Sequence, residues 1–168
     1  MKIIFLDIDG VLNVIEQGYD KYGAIFHSNF IDNLRKIINE TDAKIIISSS
    51  WKGSGLQFLL DMWKDRNYPG EIIGITPFCS DLINLGLFQH HDEVCRGDEI
   101  QYFLDNTKLQ ISQYVIIDDD DDMLDSQLNN YVKTSNNSKH EDCIDIGYGL
   151  TKLCTKKVIE ILNKIENN

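Results

Sequence analysis

No run in this chain reaches the roughly 18 apolar residues that a transmembrane helix needs. Nor is there room for a secretory leader, because the first apolar residues, Ile3 to Leu6, read directly as a strand. Basic residues are scarce: 16 Lys and Arg stand against 27 Asp and Glu, for a net charge of −11. That balance excludes a protein that coats polyphosphate by bulk attraction, and bears only weakly on an enzyme that meets a single nucleic-acid end. Cysteine is sparse and unpatterned. Cys79, Cys95, Cys143 and Cys154 form no C-x-x-C and read as reduced thiols of a cytoplasmic protein. His90 and His91 lie near Cys95, but their spacing fits no standard zinc site and reads as surface loop. There is no internal repeat.

What is present is a chain of 168 residues, 42% hydrophobic, sized for one domain over 1–168. Apolar runs alternate with helical patterns. Ile3–Leu6 is a strand buried on both faces. Residues 13–28 read as a loop or small flap, and Ser28 as the N-cap of a helix with Phe30, Ile31, Leu34, Ile37 and Ile38 on one face. Lys44–Ile47 is a second strand, followed by a helix over 56–67 that faces inward through Leu56, Leu59, Leu60 and Trp63. A third strand covers 71–75, residues 78–95 are irregular or weakly helical, and a helix covers 98–104. Tyr114–Ile117 is the fourth buried strand, and 131–134 a short last one. Residues 135–142 read as a polar surface loop. Thr151 opens a final helix that buries Leu153, Val158, Ile161, Leu162 and Ile165. This order predicts an α/β fold, a three-layer αβα sandwich on a doubly wound, mainly parallel, Rossmann-like sheet.

Polar residues close the buried strands. The first runs into Asp7-Ile8-Asp9-Gly10, the second into Ser48-Ser49-Ser50, the fourth into five consecutive aspartates from Asp118. Alone, an Asp-x-Asp is most simply a solvated acidic turn, three serines a helix-entry loop, and an aspartate run a solvated stretch. In a parallel sheet all three ends lie on the edge where ligands bind, which makes them one site. The aspartate run does not alternate its acids or carry a central glycine, so it is no EF-hand loop. Crowded carboxylates repel unless a cation joins them, and Mg²⁺, hard and oxygen-loving, suits the set. A carboxylate held against a metal-bound phosphate can attack phosphorus, and a neighbouring acid can protonate the leaving alcohol.

Asp7-Ile8-Asp9-Gly10-Val11, the serine triplet and Ile116-Ile117-Asp118-Asp119 resemble, in order, motifs of the haloacid dehalogenase (HAD) superfamily of aspartate-nucleophile phosphohydrolases. The resemblance implies Asp7 as nucleophile and Asp9 as acid/base, with Asp7, Asp9 (through its main-chain carbonyl), Asp118 and Asp119 holding the metal. It implies phosphate contacts from Ser48, Ser49 and Ser50, Ser49 foremost by strand alternation, with Gly10 at the turn. The family's motif III lysine has no counterpart in the expected place; Arg96 stands there, with Lys52 and Lys108 as rivals and an ordinary exposed Arg at a helix start as the plain alternative. Asp122 is a candidate extra acid, and Asp120 and Asp121 are expected in solvent. Ser-Ser-Ser-Trp, Arg96-Gly97-Asp98-Glu99-Ile100 and Gly149-Leu150-Thr151 further resemble the small HAD domains of RNA-repair (Swiss Army Knife) proteins.

Neither gap between motifs has room for a sizeable cap domain, so the implied enzyme has an open site suited to a large phosphorylated partner such as a nucleic-acid end. Tyr19, Tyr22 and Phe26 either stack on a base or pack the flap. A phosphatase of a small metabolite or nucleotide is the alternative within the family. A receiver-like signalling domain requires its acceptor aspartate where this chain has serines. A non-catalytic phosphate- or metal-binding module has no residue in its favour, since all four acids are kept.

Overall fold

The computed structural model describes residues 1–14, 17–135 and 148–164. Five parallel strands form one sheet: β1 (Lys2–Leu6), β4 (Lys44–Ile47), β5 (Ile72–Ile75), β6 (Gln113–Asp118) and β7 (Tyr131–Lys133). Their spatial order is β5-β4-β1-β6-β7, so β1 is central and the chain winds outward from it in both directions. A two-stranded hairpin, β2 (Tyr19–Asp20) and β3 (Gly23–Ala24), is the flap after β1.

Alternation along β1 divides the core. Ile4 and Leu6 face a large cluster with Ile45, Ile47, Val115 and Ile117, covered by α1 (Ser28–Thr41), α2 (Leu56–Asp65) and α5 (Lys152–Leu162). Ile3 and Phe5 face a smaller cluster with Ile46, Ile116 and Ile100 of α4 (Arg96–Asn106). Each fully buried side chain of this kind contributes roughly 1.5–3 kcal/mol. The result is the expected three-layer sandwich, with its heavier layer on the α1 side.

Several expectations shift. His27, not Ser28, caps α1: its Nδ1 accepts the Asn29 N–H, and Ser28 is the first helical residue. α2 ends at Asp65 rather than 67, and α4 begins at Arg96 rather than 98. The stretch 78–95 contains α3 (Cys79–Asn84) and a 3₁₀ turn at His91–Glu93. Thr151 is the N-cap of α5, its hydroxyl accepting the Cys154 N–H. On α5 Val158 and Leu162 are buried, whereas Leu153, expected inside, is exposed. Ile165 and most of the expected 135–142 loop lie outside the described residues. Among the described residues no helix is long and apolar enough to cross a membrane.

Candidate active site

Strand register builds the site. Leu6 pairs with Ile117 on one side and Ile47 on the other. The Asp7 N–H then donates to Ile117 O at 3.0 Å, Ser48 N–H to Leu6 O at 2.9 Å, and Thr76 N–H to Ile47 O at 3.0 Å. Asp118, Asp7, Ser48 and Thr76 therefore stand in a row at the carboxyl edge of four adjacent strands. The winding reverses between β1 and β6, and there Asp7 meets Asp118, at the switch point where open α/β sheets bind ligands.

Asp7, Asp118 and Asp119 each bring a carboxylate oxygen within 4.8 Å of the others. Asp119 lies over Gly10: a Cβ on that glycine would come within 2.1 Å of the Asp119 Cγ, and its φ of +72° is left-handed. Gly10 thus makes room for the cluster.

The charge is poorly compensated. Asp118 is 2% exposed, and burial, then the neighbouring Asp7, push its pKa up to about 8. Burial lifts Asp7 to about 6, against a hydrogen bond from Ser49 and the Arg96 charge. Asp118 Oδ2 has no hydrogen-bond partner, and Arg96 Nε stops 3.7 Å short. An orphaned buried oxygen among three hard carboxylates is the donor set a divalent cation takes. The residues fit such an ion.

The Asp9 carboxylate stands apart from this cluster, whereas the expected metal contact of Asp9 is through its main-chain carbonyl. Its Oδ1 accepts from Asn13 Nδ2 at 2.6 Å and its Oδ2 from Trp51 Nε1 at 2.9 Å, which turns the carboxylate away from the other three. Asp122 also lies outside the cluster, since its Oδ2 accepts the Arg96 N–H at the start of α4. Asp120 and Asp121 are exposed as expected, with Asp121 paired to Lys133.

The serines are not equivalent. Ser49 bonds Asp7 and accepts the Trp51 N–H, capping the 3₁₀ segment Ser50–Ser54. Ser48 Oγ is buried without a partner, and Ser50 is exposed. Of the three basic residues, Arg96 alone faces the carboxylates. Lys52 is buried, and its three N–H donors go to Thr76 Oγ1, Pro77 O and Glu99 Oε2 at 3.0, 2.6 and 2.6 Å. Burial pushes its pKa down, against the hydrogen bond to Glu99. Lys108 precedes β6, at the opposite end of the sheet. Glu99 also reaches Arg96 at 3.4 Å, so one carboxylate anchors both cations.

A cleft of about 400 Å³ opens beside Arg96, walled by Ser50, Phe78, Cys79, His91 and Val94. Cys79 Sγ lies 3.1 Å from His91 Nδ1, an exposed pair far from a full metal set. Phe26 is buried against Trp51, Trp63 and Tyr68, and Tyr22 packs on Phe58, so two of the three flap aromatics serve packing while Tyr19 is exposed. Trp51 and Glu99 fall within segments that carry the resemblance, but neither they nor Asn13 and Thr76 were given a role from sequence. Trp51 follows the serine triplet and Asn13 stands four residues past Asp9, but neither type announces a proton-transfer or phosphate role.

The family model for the HAD domain in Swiss Army Knife RNA repair proteins matches residues 3–139. No curated protein and no solved structure matches.

Proposed function

The chain belongs to this HAD family, whose members are phosphohydrolases, and on that premise we propose a Mg²⁺-dependent phosphomonoesterase that works through an aspartyl-phosphate. The observation that carries it is the Asp7, Asp118 and Asp119 cluster, with the orphaned Asp118 Oδ2 facing a partly compensating guanidinium. Asp7, Asp118 and Asp119 hold the ion. Once bound, it supplies positive charge against phosphate oxygens and keeps the buried carboxylates ionised.

Asp7 is the nucleophile, and the Ser49 hydroxyl keeps it oriented. Asp9 donates a proton to the leaving alcohol and later takes one from water. Ser48, whose hydroxyl has no other partner, Ser50 and the Gly10 turn receive phosphate oxygens, and Arg96 offsets charge as phosphorus is attacked. The substrate is a phosphorylated nucleic-acid end. That choice rests on the family's description and on the cleft beside Arg96, which leaves room for the rest of the substrate.

Turnover of p-nitrophenyl phosphate with Mg²⁺ tests the reading. Asp7→Asn or EDTA abolishes it, a loss of at least about 10³-fold; full turnover by Asp7→Asn overturns the nucleophile. A panel of 5′- and 3′-phosphorylated oligonucleotides beside nucleotides and sugar phosphates tests the substrate. A preference for the small phosphates assigns the cleft to a metabolite instead.

A further inference from the structure

Each oxygen of the Asp9 carboxylate accepts one side-chain hydrogen bond, one from the turn after β1 and one from the segment after the serine triplet. Trp51 Nε1 donates to Oδ2 at 2.9 Å and Asn13 Nδ2 to Oδ1 at 2.6 Å. We propose that Trp51 and Asn13 position Asp9 for proton transfer, keeping it apart from the metal-binding carboxylates. This rests on the reading of Asp9 as the acid/base.

The argument is one of hydrogen-bond inventory. A carboxylate offers about four lone-pair sites, two on each oxygen. Each donor fills one, leaving one on each oxygen for a proton bound for substrate or water. The indole N–H can donate but not accept, so Asp9 cannot lose its proton to Trp51.

The indole is itself fixed. Its ring meets Phe26 edge-on at 5.4 Å between centroids, and the side-chain position of Gly23 in the hairpin lies 3.7 Å from its Cη2. The main chain of Trp51 donates to Ser49 Oγ, the hydroxyl that bonds Asp7. One residue therefore touches the flap, the Ser49 contact of the nucleophile and the acid/base. Asn13 is held by its own turn, its carbonyl accepting the Gly10 N–H at 3.3 Å.

In the step concerned, the bond from the Asp7 oxygen to phosphorus forms while the bond from phosphorus to the leaving oxygen breaks. The proton on Asp9 passes to that oxygen, leaving Asp9 ionised. In the second step Asp9 recovers a proton from the water that cleaves the aspartyl-phosphate. A nitrophenolate leaves without the proton, whereas an alkoxide does not, so positioning of Asp9 is read by comparing leaving groups.

The experiment is kcat/KM, which covers phosphoenzyme formation alone, for p-nitrophenyl phosphate and a simple alkyl phosphate. Trp51→Phe keeps the ring and loses the donor. It is expected to lower kcat/KM by about 10–100-fold for the alkyl ester and by less than about threefold for the nitrophenyl ester. Combined with Asp9→Asn it adds nothing to the loss from Asp9→Asn alone. Equal losses on both esters, no loss on either, or an additive double variant overturns the assignment. If circular dichroism shows Trp51→Phe unfolded, Asn13→Ala carries the same comparison with the same criteria. Inactivity of Asp7→Asn alongside equal losses rejects the positioning role alone; activity of Asp7→Asn rejects the proposed function itself.

Discussion

The hairpin and the strand ends each bring charges together, and they balance them in opposite ways. At the hairpin, Arg66 donates from Nε and Nη2 to both oxygens of Asp20, and to the carbonyls of Gly23 and Ala24. Its guanidinium lies within 6 Å of the rings of Tyr22, Phe26 and Tyr68. Every donor has a nearby acceptor, and the flap is pinned to α2. At the strand ends, the buried Asp118 Oδ2 has no hydrogen-bond partner, and the guanidinium of Arg96, itself shared with Glu99, stops 3.7 Å from it. A fold able to satisfy charge as fully as at Arg66 leaves it unsatisfied at Asp118, and the position of that deficit marks the site.

The largest effect expected from this contrast is at Asp118. Asp118→Asn lowers turnover by at least about 100-fold, because a metal ligand is lost. Without divalent cation the same variant melts higher than wild type at pH 8, because a buried uncompensated charge has gone. Adding Mg²⁺ reverses the ranking: at 100 times Kd the wild type gains about 2.7 kcal/mol, or roughly 5–10 °C. A wild type that melts unchanged in Mg²⁺ would remove the metal from the site.

The pH dependence follows next. Asp7 and Asp118 have pKa values raised from 3.8 to about 6 and about 8, so between those limits the folded chain holds more protons than the unfolded one. Stability without metal is therefore fully present below about pH 4 for these groups and is lost as pH rises towards about 8. Melting curves across that range in EDTA show the decline, and saturating Mg²⁺ flattens it. A midpoint that climbs over the range contradicts the assigned charge deficit.

Gly10→Ala adds a Cβ where Asp119 sits and strains a left-handed residue, for about 1–3 kcal/mol and a weaker Mg²⁺ midpoint in the same melts. Arg66→Ala, on the balanced side, costs a similar amount, about 1–3 kcal/mol through lost carbonyl bonds and packing. It leaves the Mg²⁺-induced rise in melting temperature intact, which separates flap from site. Asp120→Asn shows no measurable shift in either, because its side chain lies in solvent at the edge of the cluster.

Much of this was legible in the chain for a definite reason. Polar residues closing buried parallel strands mark a ligand edge, so Asp7, the serine triplet from Ser48 and Asp118 announced themselves by following Leu6, Ile47 and Ile117. Asp119 was legible too, but the need for Gly10 beneath it was not, since that is a contact across 109 positions of sequence. Asp9 was read as a motif acid whose main-chain carbonyl meets the metal, but where its carboxylate turns was not legible. Strand alternation says nothing of a turn residue, and its direction is decided by Trp51, 42 positions away. Lys52 was kept as a rival because its type suits phosphate; only burial and its three acceptors retire it. The cap of α1 was misplaced because the histidine ring offers Nδ1 as acceptor where a serine was the expected type.

The α5 helix lies past residue 139, where the family match ends, yet it shares the main core. Val158 and Leu162 are buried against α1 and β6, and Leu150 ties to the turn after β1 through its N–H to Val11 O at 2.9 Å. The matched segment is thus shorter than the packed core. A fragment cut at residue 139 would keep every proposed catalytic residue and still expose the α1 side of β6, so a dead truncation would report a missing wall rather than a missing chemistry.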